Sequence, residues 1–260
     1  MTCKLSVALW VAFGCVACGG GDPAYEAAPN QFPSSPGNPW IPNITTPVQG
    51  PVLLSPGEPE AMGFDEAIHH AYFPLEPGTL LVYEGTADGL FRRDEVRVLD
   101  ERRLLEGVAC TALLQEVYLD GVLSEVTTEW FAQDAQGNVW KFGERTAELQ
   151  DGLLEPTADS WEAGRDGARP WLFLAAQPEL GDLYVGNASD HEDRLLVVAT
   201  GVTADVPAGL FPNCLQLHEN PDDPEDADII LVARDVGLVR EQSGGGVIEL
   251  VRVSDGRTSR

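Results

Sequence analysis

The stretch VACTALLQEVYLDGVLSEVTTEWFAQDAQGNVWKF, Val108–Phe142, decides the fold class. Val, Leu, Thr and aromatic side chains, which suit a pleated and half-buried surface, dominate the runs on both sides of Asp120-Gly121. Asp-Gly between two such runs is a strong hairpin signal, because a type I′ two-residue turn needs φ > 0 at both central residues. A second turn, Asp134-Ala-Gln-Gly137-Asn138, leads into Val139–Phe142, with Trp130 and Trp140 flanking it where they could pair across strands. Upstream, residues 94–99 set Val96 and Val98 against Glu95 and Arg97, the period of two of a strand with one buried face. Residues 79–85 form another β-prone run entered through Pro77-Gly78, and Asp151-Gly152 marks a further turn.

Downstream, residues 193–206, 211–218, 228–234, 236–242 and 247–253 read as strands. Residues 157–182, rich in Gly, Asp and Trp, read as a long ordered loop over one end of a sheet. Helix signals are confined to a short helix at 60–69 and a turn at 101–106. Many strands joined by tight turns predict one mostly β domain over residues 67–260. Its architecture is an antiparallel meander, forming a curved sheet, a sandwich or a partly closed barrel.

The N-terminus carries an address. Lys4 precedes an apolar run, Leu5–Ala17, too short for the roughly 20 residues of a spanning helix and of the length of a secretory signal segment. The run stops at Cys18, followed by Gly19, Gly20 and Gly21. Val16-Ala17-Cys18-Gly19 resembles the bacterial lipobox, in which the cysteine is acylated and the segment before it, here residues 1–17, is removed. Acylation at Cys15, and cleavage without acylation, are the alternatives. Between Gly19 and Gly63 lie ten of the chain's 19 prolines and no Lys or Arg. Such a composition buries too little apolar surface to offset its ordering entropy. Residues 18–66 are therefore expected to be a disordered, proline-rich tether, with Trp40, Ile41 and Ile44 as contacts if it packs on the domain instead.

Charge excludes some partners. With 42 acidic and 16 basic side chains the chain carries −26, which repels phosphate backbones and anionic lipid headgroups alike. No nucleic acid is expected, and the membrane is reached through the lipid anchor. In an oxidising compartment the two domain cysteines, Cys110 and Cys214, invite a disulfide, the alternative being two buried thiols.

Four segments together resemble a family of uncharacterised bacterial exported lipoproteins. They are Tyr72-Phe-Pro-Leu-Glu-Pro-Gly-Thr79 with Val82-Tyr-Glu-Gly85, Trp130-Phe-Ala-Gln-Asp134 with Gly137-Asn-Val-Trp140 and Phe142-Gly-Glu144, Ser160-Trp-Glu-Ala-Gly164 with Asp166-Gly-Ala168, and Gly237-Leu-Val-Arg-Glu241. The resemblance implies export and a β domain, and brings no activity with it.

Catalytic signatures are weak. There is no Gly-x-Ser-x-Gly, and Ser189-Asp190-His191 are chain neighbours, whereas triads assemble across a fold. His69, His70, His191 and His218 form no zinc-ligand spacing and read as surface histidines. Ser243-Gly-Gly-Gly246 joins two strands and lacks the helix and Lys of a phosphate loop. Asp222, Asp223, Glu225, Asp226 and Asp228 pack five carboxylates into one turn, which makes calcium the candidate cofactor, since hard cations seek several oxygens; no EF-hand spacing is present, and a solvated acidic loop is the alternative. No other cofactor is expected. The function read from these residues is that of a cell-envelope lipoprotein at the outer membrane or cell surface. Its domain is a non-catalytic binding or interaction module for an apolar ligand or another envelope protein. The alternative is an envelope hydrolase using carboxylates near the 157–182 loop.

Overall fold

Four two-residue turns stitch the first half of the fold together. Asp88-Gly89, Glu106-Gly107, Asp120-Gly121 and Asp151-Gly152 all have both residues at positive φ, between 48° and 84°. That is the backbone of a type I′ turn, whose twist matches the strands on either side. A Gly at the second position carries no Cβ to oppose it. The computed structural model describes residues 52–53, 63–65, 67–158, 160–187, 192–221 and 228–255.

Among these residues there are strands and turns and no helix. In chain order the strands are β1 (Val52–Leu53), β2 (Phe64–Asp65), β3 (Ile68–His70), β4 (Phe73–Leu75), β5 (Thr79–Ala87), β6 (Leu90–Leu105), β7 (Val108–Leu119), β8 (Val122–Asp134) and β9 (Val139–Gln150). There follow β10 (Leu153–Pro156), β11 (Trp161–Glu162), β12 (Trp171–Leu174), β13 (Asp182–Asn187), β14 (Glu192–Val206), β15 (Gly209–Glu219), β16 (Asp228–Ala233), β17 (Gly237–Ser243) and β18 (Gly246–Asp255).

Two meanders share one sheet. β5 to β10 pair in sequence, as do β13 to β18, and the pairing of β18 with β5 joins them. β11 and β12 return to pair with β9, β2 pairs with β8, and β3 with β4 forms a separate hairpin. The sheet curves until inner faces meet: Arg92 of β6 comes 3.9 Å from Glu241 of β17, and the Tyr83 hydroxyl of β5 donates to the Leu238 carbonyl. The described strand pairings do not close it into a barrel, since β9 and β13 do not pair. The antiparallel, curved, all-β architecture expected from the turns is the one observed.

The two ends of the sheet differ. The turns at 88–89, 120–121, 151–152 and 244–245 lie at one end, here called upper, and residues 63–78 at the other. The lower end holds an aromatic plug. Phe73 of β4 packs at 4.9 Å on Phe131 and 5.1 Å on Phe173, and Trp171 stands 5.7 Å from Phe173. Such ring pairs add about 0.5–1.5 kcal/mol each beyond their buried area.

Several expectations are corrected. Residues 68 and 69 of the expected helix at 60–69 belong to strand β3 (Ile68–His70), with Ile68 and His70 buried on alternate positions. Residues 101–105 continue β6. The 157–182 segment is partly strand, since β11 and β12 use its Trp residues to cover β9. Trp130 and Trp140 do not face each other: Trp130 pairs with Gly143 and Trp140 with Ala132. Two pieces of the expected tether, β1 and β2, pair with β13 and β8. The disulfide is absent. Cys110 and Cys214 are buried free thiols on β7 and β15, strands of opposite meanders that are not neighbours. Each donates to a nearby carbonyl, Cys110 Sγ to Val108 O (3.5 Å) and Cys214 Sγ to Phe211 O (3.3 Å). Burial pushes the Cys110 thiol up to about 12, so it is unreactive in the fold.

Two outcomes are expected. Unreduced protein in denaturant should show both Cys110 and Cys214 alkylated on peptide mapping, and a crosslinked Cys110–Cys214 peptide would contradict this packing. A Cβ on Gly186 of β13 would stand 2.5 Å from the Trp171 indole of β12. Gly186→Val should therefore cost about 1–3 kcal/mol by overpacking, read as a lower midpoint in urea.

Candidate functional site

Alternation on β8 puts Glu125, Thr127 and Glu129 on one face, and that face is the buried one. Their register partners on β9 include Thr146 and Glu144. A polar layer therefore lies inside the fold. Its best-made contact is a trio on β8 and β9: the Lys141 ammonium, fully buried, sits 2.9 Å from Glu129 Oε1 and 2.7 Å from Glu144 Oε2. Burial works to lower the Lys141 pKa, but Glu129, Glu144 and Asp193 of β14 outweigh it and keep the amine protonated. Burial pushes Glu144 up to about 8, with Lys141 opposing the rise. Glu129 is raised by the same cause.

Nearer the upper end, Arg92 clamps Asp94 with Nε and Nη2 at 2.8 and 2.7 Å, and Gln115 donates to the same carboxylate at 2.9 Å. This bidentate geometry is the strong form of a charged hydrogen bond. Glu125 accepts from Thr127 Oγ1 at 3.2 Å, yet burial still pushes it up to about 8. Across from these, Asp193, Glu219, Asp228 and Glu241 occupy the inner face of β14 to β17, all buried. Burial, with Asp228 and Asp94 nearby, pushes Glu241 up to about 8 against the pull of Arg92. Burial raises Glu219 well above the ordinary carboxylate range, and Asp228, Asp193 and Glu241 add to it.

The carboxylates of the 157–182 segment are arranged differently. Glu162, buried on β11, is held by Arg103 (2.6 Å) and Arg145 (3.0 Å) at Oε1 and by Arg165 (3.1 Å) at Oε2. The Arg103 guanidinium also lies 4.6 Å over the Trp130 ring. Asp182 accepts from the Tyr184 hydroxyl and the Glu179 amide. These acids are occupied in holding the β11 to β13 region together.

Of the sequence candidates, Cys18, Asp222, Asp223, Glu225 and Asp226 lie outside the described residues, as do Ser189, Asp190 and His191. Asp228 is described and belongs to the buried layer. Among the described residues no three His, Cys, Asp or Glu side chains are grouped to hold a metal ion. Two histidines are not at the surface. His70 is buried, with Nε2 2.9 Å from the Ala175 carbonyl and Nδ1 accepting from the Tyr72 amide, and burial lowers its pKa. His218 is half-buried and pushed down to about 4 by burial. The residues that sequence reasoning missed are the inward acids, because alternation separates two faces without saying which is inside.

Comparison with known proteins adds little. No protein-family model matches the chain, and no curated protein matches it. A crystal structure of a Bacteroides fragilis protein, assigned as exported and described as having a YmcC-like fold, is similar at 15% identity and a TM-score of 0.38. The match covers 71% of this chain and 99% of that one. A likeness this slight bears neither on function nor on location.

Removing the cation from the trio should be costly. Lys141→Met leaves two carboxylates facing each other without their partner, a loss of about 3–5 kcal/mol for a broken buried pair. At roughly 2–4 °C per kcal/mol, thermal melting should show a clear drop in midpoint at neutral pH. An unchanged midpoint would mean that the trio contributes nothing to stability.

Proposed function

We propose that this protein is an exported cell-envelope lipoprotein, anchored through Cys18 at the outer membrane or cell surface, with a non-catalytic interaction domain. The anchor reading rests on one observation: an apolar run of signal length that ends at a cysteine followed by three glycines.

The domain reading rests on what is buried and what is exposed. Glu129, Glu144 and Glu162 are sealed against solvent and occupied by Lys141 or arginines. A glycosidase needs its two carboxyl groups on either side of a bound sugar, with a route for substrate and water. Geometry thus favours the interaction module over the hydrolase. The inner faces are filled by Leu195, Leu217, Phe131 and the polar layer, so a partner meets the outside of the sheet. Exposed apolar side chains occur at both ends: Leu90, Phe91, Val122, Leu153 and Leu154 form a rim on the hairpins of the upper end, away from residues 63–65, while Leu104, Leu210 and Val253 are exposed at the lower end. A domain held by its N-terminus would present that rim outward, which suits another envelope protein better than an enclosed apolar molecule.

Fractionation tests the anchor. Wild type should partition with membranes and carry the added mass of acyl chains on intact-protein mass spectrometry. Cys18→Ser should be soluble at its unmodified mass, and membrane retention of that variant would overturn the assignment.

A further inference from the structure

The two meanders meet through carboxylates. Asp193, Glu219, Asp228 and Glu241 from β14 to β17 face Arg92 and Asp94 of β6, Glu125 and Glu129 of β8, and Lys141 and Glu144 of β9. Tyr83 of β5 closes one side near Asp94 and Glu241, and Glu148 of β9 approaches Glu125. Arg194 and His218 occupy the alternate positions on β14 and β15. Within this layer eight buried acids stand against two buried bases, Arg92 and Lys141.

Such an excess cannot be buried fully ionised, since desolvation and like-charge repulsion act together. Two atoms locate the shortfall. Glu219 Oε1 and Glu241 Oε2 are buried and have no hydrogen-bond partner among the described residues. Glu219 is nearly inaccessible, at 3% exposure, and the repulsion of Asp228, Asp193 and Glu241 acts on it together with the opposing attraction of Lys141. The described acids are not grouped to hold a metal ion. Protons are the counter-charge small enough to reach them and needing no ligand geometry.

We propose that this layer is a proton-locked seam: the meanders stay closed at their upper end while the carboxylates share protons, and part there when the protons leave. Burial points the same way, holding Glu125, Glu144 and Glu241 near 8 and raising Glu219 as well. These folded values lie above the ordinary 4.5 of an unfolded chain. The stabilisation is therefore complete below 4.5, declines as pH rises, and is lost through about 8. The parting strands would be β14 to β17 at their upper halves, because Asp193, Glu219, Asp228 and Glu241 all sit there. An exported domain would thus tighten in acidic surroundings and expose its upper interior in alkaline ones.

Hydrogen exchange on the full-length chain tests this. Protection factors for residues 193–197, 217–219, 228–232 and 239–241 should fall by about tenfold or more between mildly acidic and mildly alkaline buffer, with a smaller change in β7. In Glu219→Gln/Glu241→Gln, which mimics the protonated acids in shape, protection should hold at both pH values. Equal protection in wild type at both pH values would overturn the proposal. So would an undiminished fall in the double variant, or a variant that cannot fold even in acid. Millimolar calcium that restores alkaline protection where matched sodium does not would also overturn it, by making a metal the counter-charge.

Discussion

One seam carries the architecture. β18, the last strand, pairs with β5, the first long one, from Gly246↔Ala87 to Asp255↔Thr79. Each meander on its own is a run of local hairpins with an open edge, and an exposed edge invites pairing with another chain. Joining them removes the inner edge of both. It also bends the sheet far enough for β6 and β17, two strands apart on either side of the seam, to touch through Arg92 and Glu241. The partners are separated by about 160 residues of chain, so this pairing closes the longest loop in the sheet and carries its entropic cost. The outer edges are dealt with differently: β10 ends at Pro156, which has no amide to donate, and β1 lies along β13.

The seam also explains why the interior has two characters. Below, Phe73, Phe131, Phe173 and Trp171 interlock, and the small β3–β4 hairpin fills the end of the curved sheet. Above, the same inner faces carry acids. Coulomb interactions there act through a low effective dielectric, so each buried group is strongly coupled to its neighbours. Lys141 is the clearest case: between Glu129 and Glu144 it remains charged despite complete burial, while its two partners are pushed towards holding a proton. A core of this kind gains less stability than a hydrocarbon one of equal volume, and gains a dependence on pH. The surface acids that make up most of the −26 have no such effect, because water screens them.

Local structure was largely legible. Turn residues announced the hairpins, and the strands at 108–119 and 122–132 match β7 and β8 to within two residues. Asp134 shows how literal such signals can be. Its carboxylate takes the Gln136 and Asn138 amides, the Asn138 side chain and the Trp140 indole N–H, all at 2.9 Å. Where reading failed, the competing effect was tertiary. A helical reading of 60–69 lost to a hairpin whose Phe73 docks on Phe131, and β13 was hidden at the end of an irregular stretch because only its pairing with β14 makes it a strand.

The sequence by itself determined that the domain is β, where its tight turns fall, how acidic its surface is, and which cysteine looks like a lipid acceptor. Those are properties of neighbouring residues: φ preferences, period-two patterning and summed charge. Only the tertiary structure decided that Glu125, Glu129 and Glu144 face inward, that Cys110 and Cys214 stay apart, and that Asp193, Glu219, Asp228 and Glu241 converge. A strand's alternation defines two faces, and nothing within the strand says which will meet the other half of the sheet. That choice is made when β18 reaches β5 and the curvature of the joined sheet turns one face of strands such as β6, β8 and β17 away from water.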